Sequence, residues 1–307
     1  MSARHVSKLE SLLLQENSGF DVLFNEPMTK HTSYRIGGDA KYFVTVNTIE
    51  AMELLINACK LTSTKWIVIG KGSNLLVSDS GFDGLVIVLG CDFNKLSFCD
   101  IRMQYIVGAG RMLSSLVQDA FRKNLSGLEW AVGTPGTIGG AIAMNAGSAD
   151  KWISNCLSTI TCYLPDQGII RYRSSAIEWT YRGSSLPKDA IILECSINLE
   201  NAKDESSREL MEHRFASRKE KQPLGFPSCG SVFKNPENQS AGFLIEKAGL
   251  KGKQIGGAMI SDKHANFILN VSHASALDVK ALIDLCIEKV ADETGIILQP
   301  EVKLVGF

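Results

Sequence analysis

The stretch GTPGTIGGAIAMNAG, residues 133–147, constrains this chain more than any other. Gly133, Gly136, Gly139, Gly140 and Gly147 fall within fifteen positions, with Thr134, Pro135, Thr137 and Asn145 among them. Glycine loses more backbone freedom on folding than any other residue, so such a cluster opposes folding unless the backbone must turn sharply or approach something closely. An earlier loop, IGKGSNLLVSDSGF, sets Gly70, Lys71, Gly72, Ser73 and Asn74 directly after the apolar run WIVI. Two readings are open. The loops are tight crossovers in a β-rich domain, or they turn main-chain N–H groups toward phosphate oxygens, with Ser73 and Asn74 adding side-chain donors.

The common nucleotide motifs fail. GAGRML at 108–113 has Leu113 where a dinucleotide fingerprint needs its third glycine, GKGSN has the wrong spacing for a P-loop, and Gly252-Lys253 is followed by Gln254 rather than Ser or Thr. A phosphate-bearing cofactor on a less common scaffold is what these loops propose.

Composition narrows the partners. The 307 residues are 45% hydrophobic and 21% charged, enough for a sizeable core, and a formal net charge of −1 gives no reason to expect nucleic acid or an anionic membrane surface. No apolar run approaches the ~18 residues of a membrane span, and the Leu cluster near the N-terminus is too short and too late for a secretion signal. The eight cysteines contain no CxxC and no zinc-like Cys/His spacing, so they read as reduced thiols of a cytoplasmic protein without a metal site.

Periodicity places the elements. A helix is predicted over 48–60, capped by Thr48, and another over 112–123; WIVIG (66–70), LVIVL (85–89) and AIILECSINL (190–199) read as buried strands. TCYLPDQGIIRYR (161–173) reads as a hairpin turning near Pro165–Gly168. Composition shifts near residue 200 to a charged, helix-favouring segment (200–223) ended by Pro223, and a domain boundary is set there. Beyond it AGFLIEKAGL and LDVKALIDLCIEKVADETG read as helices, and ANFILNV and EVKLVGF as strands.

SCGSVFKNP, residues 228–236, surrounds Ser231 with small and turn-forming residues. It is either an ordinary turn or a hydroxyl held against a substrate. Cys229 reads as a small apolar filler.

Taken with these loops, the strings HTSYRIGG (31–38), TYRGS (180–184), KQPLGFPSCGSVFKNP (221–236), AGFLIEKAGLKGKQIGGAMISDKHANFILN (241–270) and LQPEV (298–302) resemble the UDP-N-acetylenolpyruvoylglucosamine reductase family, in order and over nearly the whole chain. The resemblance implies an α+β protein: an FAD-binding fold of the vanillyl-alcohol oxidase type in two subdomains (1–84 and 85–200), then a small substrate-binding α+β domain (201–307). It implies FAD held by both glycine loops, NADPH as reductant, and reduction of UDP-N-acetylglucosamine enolpyruvate by a monomer. Ser231 is followed by 76 residues (232–307), so the chain resembles the shorter type that lacks a tyrosine-bearing loop. Three departures stand out: SADKWISN after MNAG, Trp179-Thr180 before Tyr181, and Cys229 where alanine is common.

The same resemblance implies roles. Arg182 would stabilise the enolate formed when hydride reaches the β-carbon, as an always-charged, fork-shaped donor can. Ser231 would protonate the α-carbon, which needs placement more than acidity. Glu301 would stand beside the enolate carboxylate. Tyr181, Lys221, Asn235, Lys251, His264 and Asn266 would bind substrate. Two other readings remain beside this one: another flavin-dependent oxidoreductase of the same fold, and a non-catalytic nucleotide binder.

Overall fold

The computed structural model describes residues 8–15, 19–148, 151–202 and 206–307. They form two units. The first draws on Met1–Phe24, Tyr42–Gly70 and Gly84–Arg214, the second on Asn25–Lys41, Lys71–Asp83 and Phe215–Phe307. The expected subdomain boundary at 84/85 falls inside the strand Phe82–Leu89. The boundary at 200/201 falls inside the short strand Glu200–Asn201, ahead of the helix Ser206–Lys221; residues 203–205 of the helix-favouring segment 200–223 lie outside the described residues.

In the first unit, the helix Ile49–Thr62 starts where Thr48 accepts a hydrogen bond from Ala51 N at 3.2 Å and ends at Ser63 in the left-handed region. Its buried face is Met52, Leu55, Ile56 and Cys59, as the spacing predicts. Trp66–Ile69 runs parallel to residues 85–88 within a sheet ordered Phe20–Pro27, Asp39–Val46, Phe82–Leu89, Trp66–Ile69. A second, wholly antiparallel sheet follows the order Gly168–Arg173, Leu157–Leu164, Ile191–Asn198, Gln104–Gly108, Leu96–Cys99. The predicted hairpin is its edge, turning at Gly168 with φ +74°. The helix Leu113–Arg122 buries Leu113, Leu116, Val117 and Ala120 in the core these sheets share.

In the second unit, a three-stranded antiparallel sheet, Gln254–Ile255, Ala258–Ile260 and Ile268–Asn270, packs with the helix Ala276–Thr294. Ser275 and Asp278 cap that helix reciprocally, each side chain accepting the other's backbone N–H at 3.0 Å, and Gly295 ends it at φ +72°. Val279, Leu282, Ile283, Cys286 and Val290 are buried along it, as predicted. The C-terminal strand Lys303–Val305 pairs in parallel with Leu75–Val77, the strand that follows the first glycine loop.

No disulfide joins any of the eight cysteines. Among the described residues, no helix is long and apolar enough to cross a membrane, and no group of His, Cys, Asp or Glu could hold a metal ion.

Candidate active site

The expected site residues divide between the units. Gly70, Thr134, Pro135, Gly136, Thr137, Gly139, Gly140, Asn145, Gly147, Tyr181 and Arg182 belong to the first. Lys71, Gly72, Ser73, Asn74, Lys221, Ser231, Asn235, Lys251, His264, Asn266 and Glu301 belong to the second.

In the first unit, the glycine-rich cluster runs into a short helix, Ile138–Ala143. Thr137 caps it, accepting from Gly140 N at 3.3 Å. Gly70 packs directly on this cap: a Cβ there would lie 2.4 Å from Thr137 Oγ1. The cluster is anchored to the rejected GAGRML segment, with Ile138 N donating to Arg111 C=O and Gly139 N to Ala109 C=O, both at 2.8 Å. Gly140 stays exposed, and only Thr137 Oγ1, at 3.5 Å, stands near the position of its missing Cβ. The backbone here is open to a phosphate group, which fits a diphosphate cofactor.

Asn145 and Gly147 serve a different purpose locally. Asn145 is buried, donates through Nδ2 to Thr180 C=O at 3.0 Å, and accepts from Ser154 N at 3.4 Å. It ties the end of the glycine cluster to the segment carrying Arg182. Arg182 has φ +61°, a conformation costly for a side chain with a Cβ. Its Nη1 donates to Gly147 C=O at 3.2 Å, and its guanidinium lies 5.5 Å from the Trp152 ring and 5.2 Å from the Tyr181 ring. Trp152 and Tyr181 meet edge to face at 5.6 Å. Trp152 comes from SADKWISN, the stretch that departs from the family pattern. Apart from that departure, nothing in the sequence marks its role. Tyr181 is exposed.

In the second unit, Ser231 lies in an extended segment. Glu301 N donates to Val232 C=O at 2.7 Å, Lys234 N donates to Gln299 C=O at 2.9 Å, and Phe233 bridges Pro300. Residues 70 positions apart are thereby joined through the backbone. Asn74 secures the same strand: its Nδ2 donates to Glu301 C=O at 3.1 Å, and its own C=O accepts from Lys303 N at 3.0 Å. Gly72, with φ +65°, passes so close to the 31–32 segment that a Cβ would lie 2.0 Å from His31 C=O.

Asn266 is buried and fully engaged by protein. Its Oδ1 accepts from Phe233 N and its Nδ2 donates to Phe233 C=O, both at 2.9 Å, while its own C=O accepts from Val232 N at 2.9 Å. It is a clamp on the Ser231 segment. Asn235 Oδ1 accepts from Ala241 N at 3.0 Å. His264 Nδ1 accepts from Asn266 N at 3.3 Å, and its ring packs on Phe267; burial, aided by the Lys251 charge, holds its imidazole below the ordinary histidine range. Lys251 pairs with Glu246 at 2.7 Å, and Lys221 is exposed at the end of its helix.

Cys229 is buried, and burial pushes its thiol up to about 12. Asn270 donates from Nδ2 to Tyr34 C=O at 3.0 Å and from its backbone N to Pro227 C=O at 2.9 Å.

Residues 222–305 match a family model described as UDP-N-acetylenolpyruvoylglucosamine reductase, C-terminal domain, and residues 40–172 match an FAD binding domain. The chain is 42% identical over 283 residues to the UDP-N-acetylenolpyruvoylglucosamine reductase of Heliobacterium modesticaldum, covering 92% of this chain and 90% of that one. It is 41% identical over 303 residues to UDP-N-acetylenolpyruvoylglucosamine reductase 1 of Bacillus anthracis, covering 98% of this chain and all (100%) of that one. The crystal structure of UDP-N-acetylenolpyruvylglucosamine reductase from Thermus caldophilus superposes with a TM-score of 0.78 at 34% identity, over 93% of this chain and 98% of that chain.

Proposed function

The chain belongs to the UDP-N-acetylenolpyruvoylglucosamine reductase family, the FAD-dependent enzymes that use NADPH to reduce enolpyruvyl-UDP-N-acetylglucosamine in peptidoglycan synthesis, and from that premise we propose which of its residues carry the reaction. When bound and reduced by NADPH, FAD would supply the hydride that the β-carbon of the enolpyruvyl group accepts. Ser231 donates its hydroxyl proton to the α-carbon. A serine is a weak acid, but a carbanion-like carbon is a strong enough base to take the proton if the hydroxyl is held on the correct face. Arg182 places a permanent positive charge and paired N–H donors on the carboxylate into which the negative charge spreads, an interaction that strengthens as the transition state forms. Glu301 flanks the same carboxylate.

The glycine loops, Gly70–Asn74 and Gly133–Gly140, are proposed to hold the FAD diphosphate. The reading keeps 1–84 and 85–200 as FAD-binding subdomains and 201–307 as the substrate domain. Tyr181, Lys221 and Lys251 are proposed to bind substrate, the two lysines as point charges on the UDP diphosphate. Asn145, Gly147, Asn235, His264 and Asn266 act in this reading through the segments they brace. The enzyme is taken to work as a cytoplasmic monomer.

The observation that supports this reading most is local. The Ser231 and Glu301 segments are joined by backbone hydrogen bonds and locked by Asn266 on one side and Asn74 on the other. Ser231→Ala tests it. The FAD-loaded variant is expected to be reduced by NADPH at the wild-type rate and to lose turnover of the enolpyruvyl substrate. Turnover unchanged by Ser231→Ala would overturn the assignment.

A further inference from the structure

Gly72 is buried, and a Cβ there would lie 2.0 Å from His31 C=O and 3.0 Å from Thr32 Cα, so the first glycine loop rests directly on the backbone of residues 31–33. Ser33 N donates to Gly72 C=O at 3.0 Å. In a trans peptide the N–H points opposite to the C=O, so this bond turns the Ser73 N–H away from Ser33, to the other side of the loop. Whatever fixes residues 31–33 thus fixes the direction in which the loop presents its main chain. On the C-terminal side, Thr32 Oγ1 donates to Ile36 C=O at 2.9 Å and accepts from Ile36 N at 3.3 Å, closing a turn in which Arg35 takes φ +56°. On the N-terminal side, the strand Phe20–Pro27 ends in the single turn Met28–Lys30, and His31 N donates to Met28 C=O at 2.9 Å. The His31 side chain folds back across this turn, with Nε2 2.9 Å from Glu26 Oε1.

We infer that Glu26 and His31 are positioning residues for the cofactor: their contact pins the backbone on which Gly72 sits, and so sets the direction of the loop's main-chain N–H groups toward a diphosphate. The inference rests on the reading above that Gly70–Asn74 holds the FAD diphosphate. The contact is partly shielded from water, with the Glu26 side chain 12% and the His31 side chain 26% exposed. Lys30 also reaches Glu26, at 3.3 Å, but is 63% exposed and adds little. The hydrogen bond from His31, with Lys30 beside it, holds the Glu26 carboxyl below its ordinary range. An ionised carboxylate only accepts, so Nε2 of His31 is the nitrogen that carries the hydrogen. The pair closes a span of five residues and leaves His31 C=O one place to stand, which is the place Gly72 needs.

The test follows release of FAD from the loaded full chain, as the rise in flavin fluorescence on dilution, with urea midpoints measured beside it. Glu26→Ala and His31→Ala are each expected to speed release about three- to tenfold, the scale of one net hydrogen bond. The double variant is expected to release FAD no faster than either single one, because the two side chains make one contact. His31→Gln, whose amide can still donate to Glu26, is expected to restore most of the wild-type rate. Lys30→Ala is expected to stay within about twofold of wild type, as an exposed pair should. Excess FAD is expected to return turnover of both single variants to the wild-type value, since the reacting groups are untouched. Unchanged release in the single variants, or effects that multiply in the double variant, overturn the inference. So does release that follows the fall in urea midpoint with no rescue by His31→Gln, the signature of a merely structural role. Ser73→Asp sets a carboxylate in the loop itself and is expected to speed release further still; if it leaves release unchanged, the failure lies in the parent assignment of the loop instead.

Discussion

Arg182 donates from Nη1 to the carbonyl of Gly147 at 3.2 Å, and Gly147 can be there only because it lacks a side chain. A Cβ at 147 would lie 2.3 Å from Trp152 Cε3 and 2.5 Å from Lys151 C=O. Gly147→Ala must therefore push Trp152 off the guanidinium or move the carbonyl that aims it. The substitution is expected to cost about 1–3 kcal/mol of stability, as overpacking does. It is expected to lower turnover at least about tenfold through misplacement of Arg182. Urea denaturation and steady-state kinetics on the FAD-loaded protein measure the two effects.

Arg182 itself separates stability from activity. Its φ of +61° is a left-handed conformation that disfavours any residue with a Cβ by about 1–2 kcal/mol relative to glycine. Arg182→Gly relieves that strain but forfeits the contacts with Trp152 and Tyr181, worth about 0.5–1 kcal/mol each, and the hydrogen bond to Gly147 C=O, worth about 0.5–1.5 kcal/mol net. The relief offsets most of the loss, so stability is expected to fall by no more than about 2 kcal/mol. Turnover is expected to fall about 100-fold or more, because the charge that stabilises the enolate is gone. Arg182→Lys keeps the charge without the fork and is expected to fall between the two. Comparable losses of stability and turnover in Arg182→Gly would contradict this division.

Asn266→Ala removes both side-chain hydrogen bonds to the Phe233 backbone, each at 2.9 Å, in a site from which water is excluded. A buried N–H and C=O are left without partners, at about 1–3 kcal/mol each. A loss of about 2–4 kcal/mol is expected, with a drop in kcat as the Ser231 segment loosens. Asn266→Asp is not expected to rescue either property, because a carboxylate cannot donate to Phe233 C=O and would bury a charge. Chemical denaturation of both variants tests this.

What the sequence made legible was local. Thr48, Gly295 and the turn at Gly168 are punctuation whose meaning depends on near neighbours, and the elements they bound fall where predicted. The strand Leu75–Val77 was missed because its partner, Lys303–Val305, lies at the far end of the chain. The helix Ile138–Ala143 was missed because its glycines speak against a helix, while the signal for it is the single cap of Thr137. The site shows the same limit. Asn266, Asn145 and Asn74 stand among the expected binding residues, and each uses its side-chain amide on a backbone carbonyl. A sequence shows that an amide is present, not whether a ligand or a strand answers it. Trp152 lies in a stretch that departs from the family pattern and Asn270 closes the string 241–270, and only folding reveals what each holds.

His264 gives a pH dependence whose sign follows from its setting. Burial is the largest influence on it, the Lys251 charge adds to the effect, and together they hold its folded pKa below the ordinary value. The neutral ring is also the one that works here, since Nδ1 must stay unprotonated to accept from Asn266 N at 3.3 Å. The unfolded chain, with an ordinary histidine near about 6.5, takes up its proton first as pH falls. In that window the unfolded state binds more protons than the folded one, so stability rises with pH and declines on acidification from about 6.5 downward. The neutral form keeps its full contribution above that range. His264→Gln, which cannot titrate, is expected to be less stable than wild type at neutral pH, with the gap narrowing as pH is lowered toward about 5. Denaturant midpoints for both proteins across that range measure it. A gap that stays constant or widens would mean that His264 is not held neutral, and that its ring does not anchor the Asn266 clamp in the way the geometry indicates.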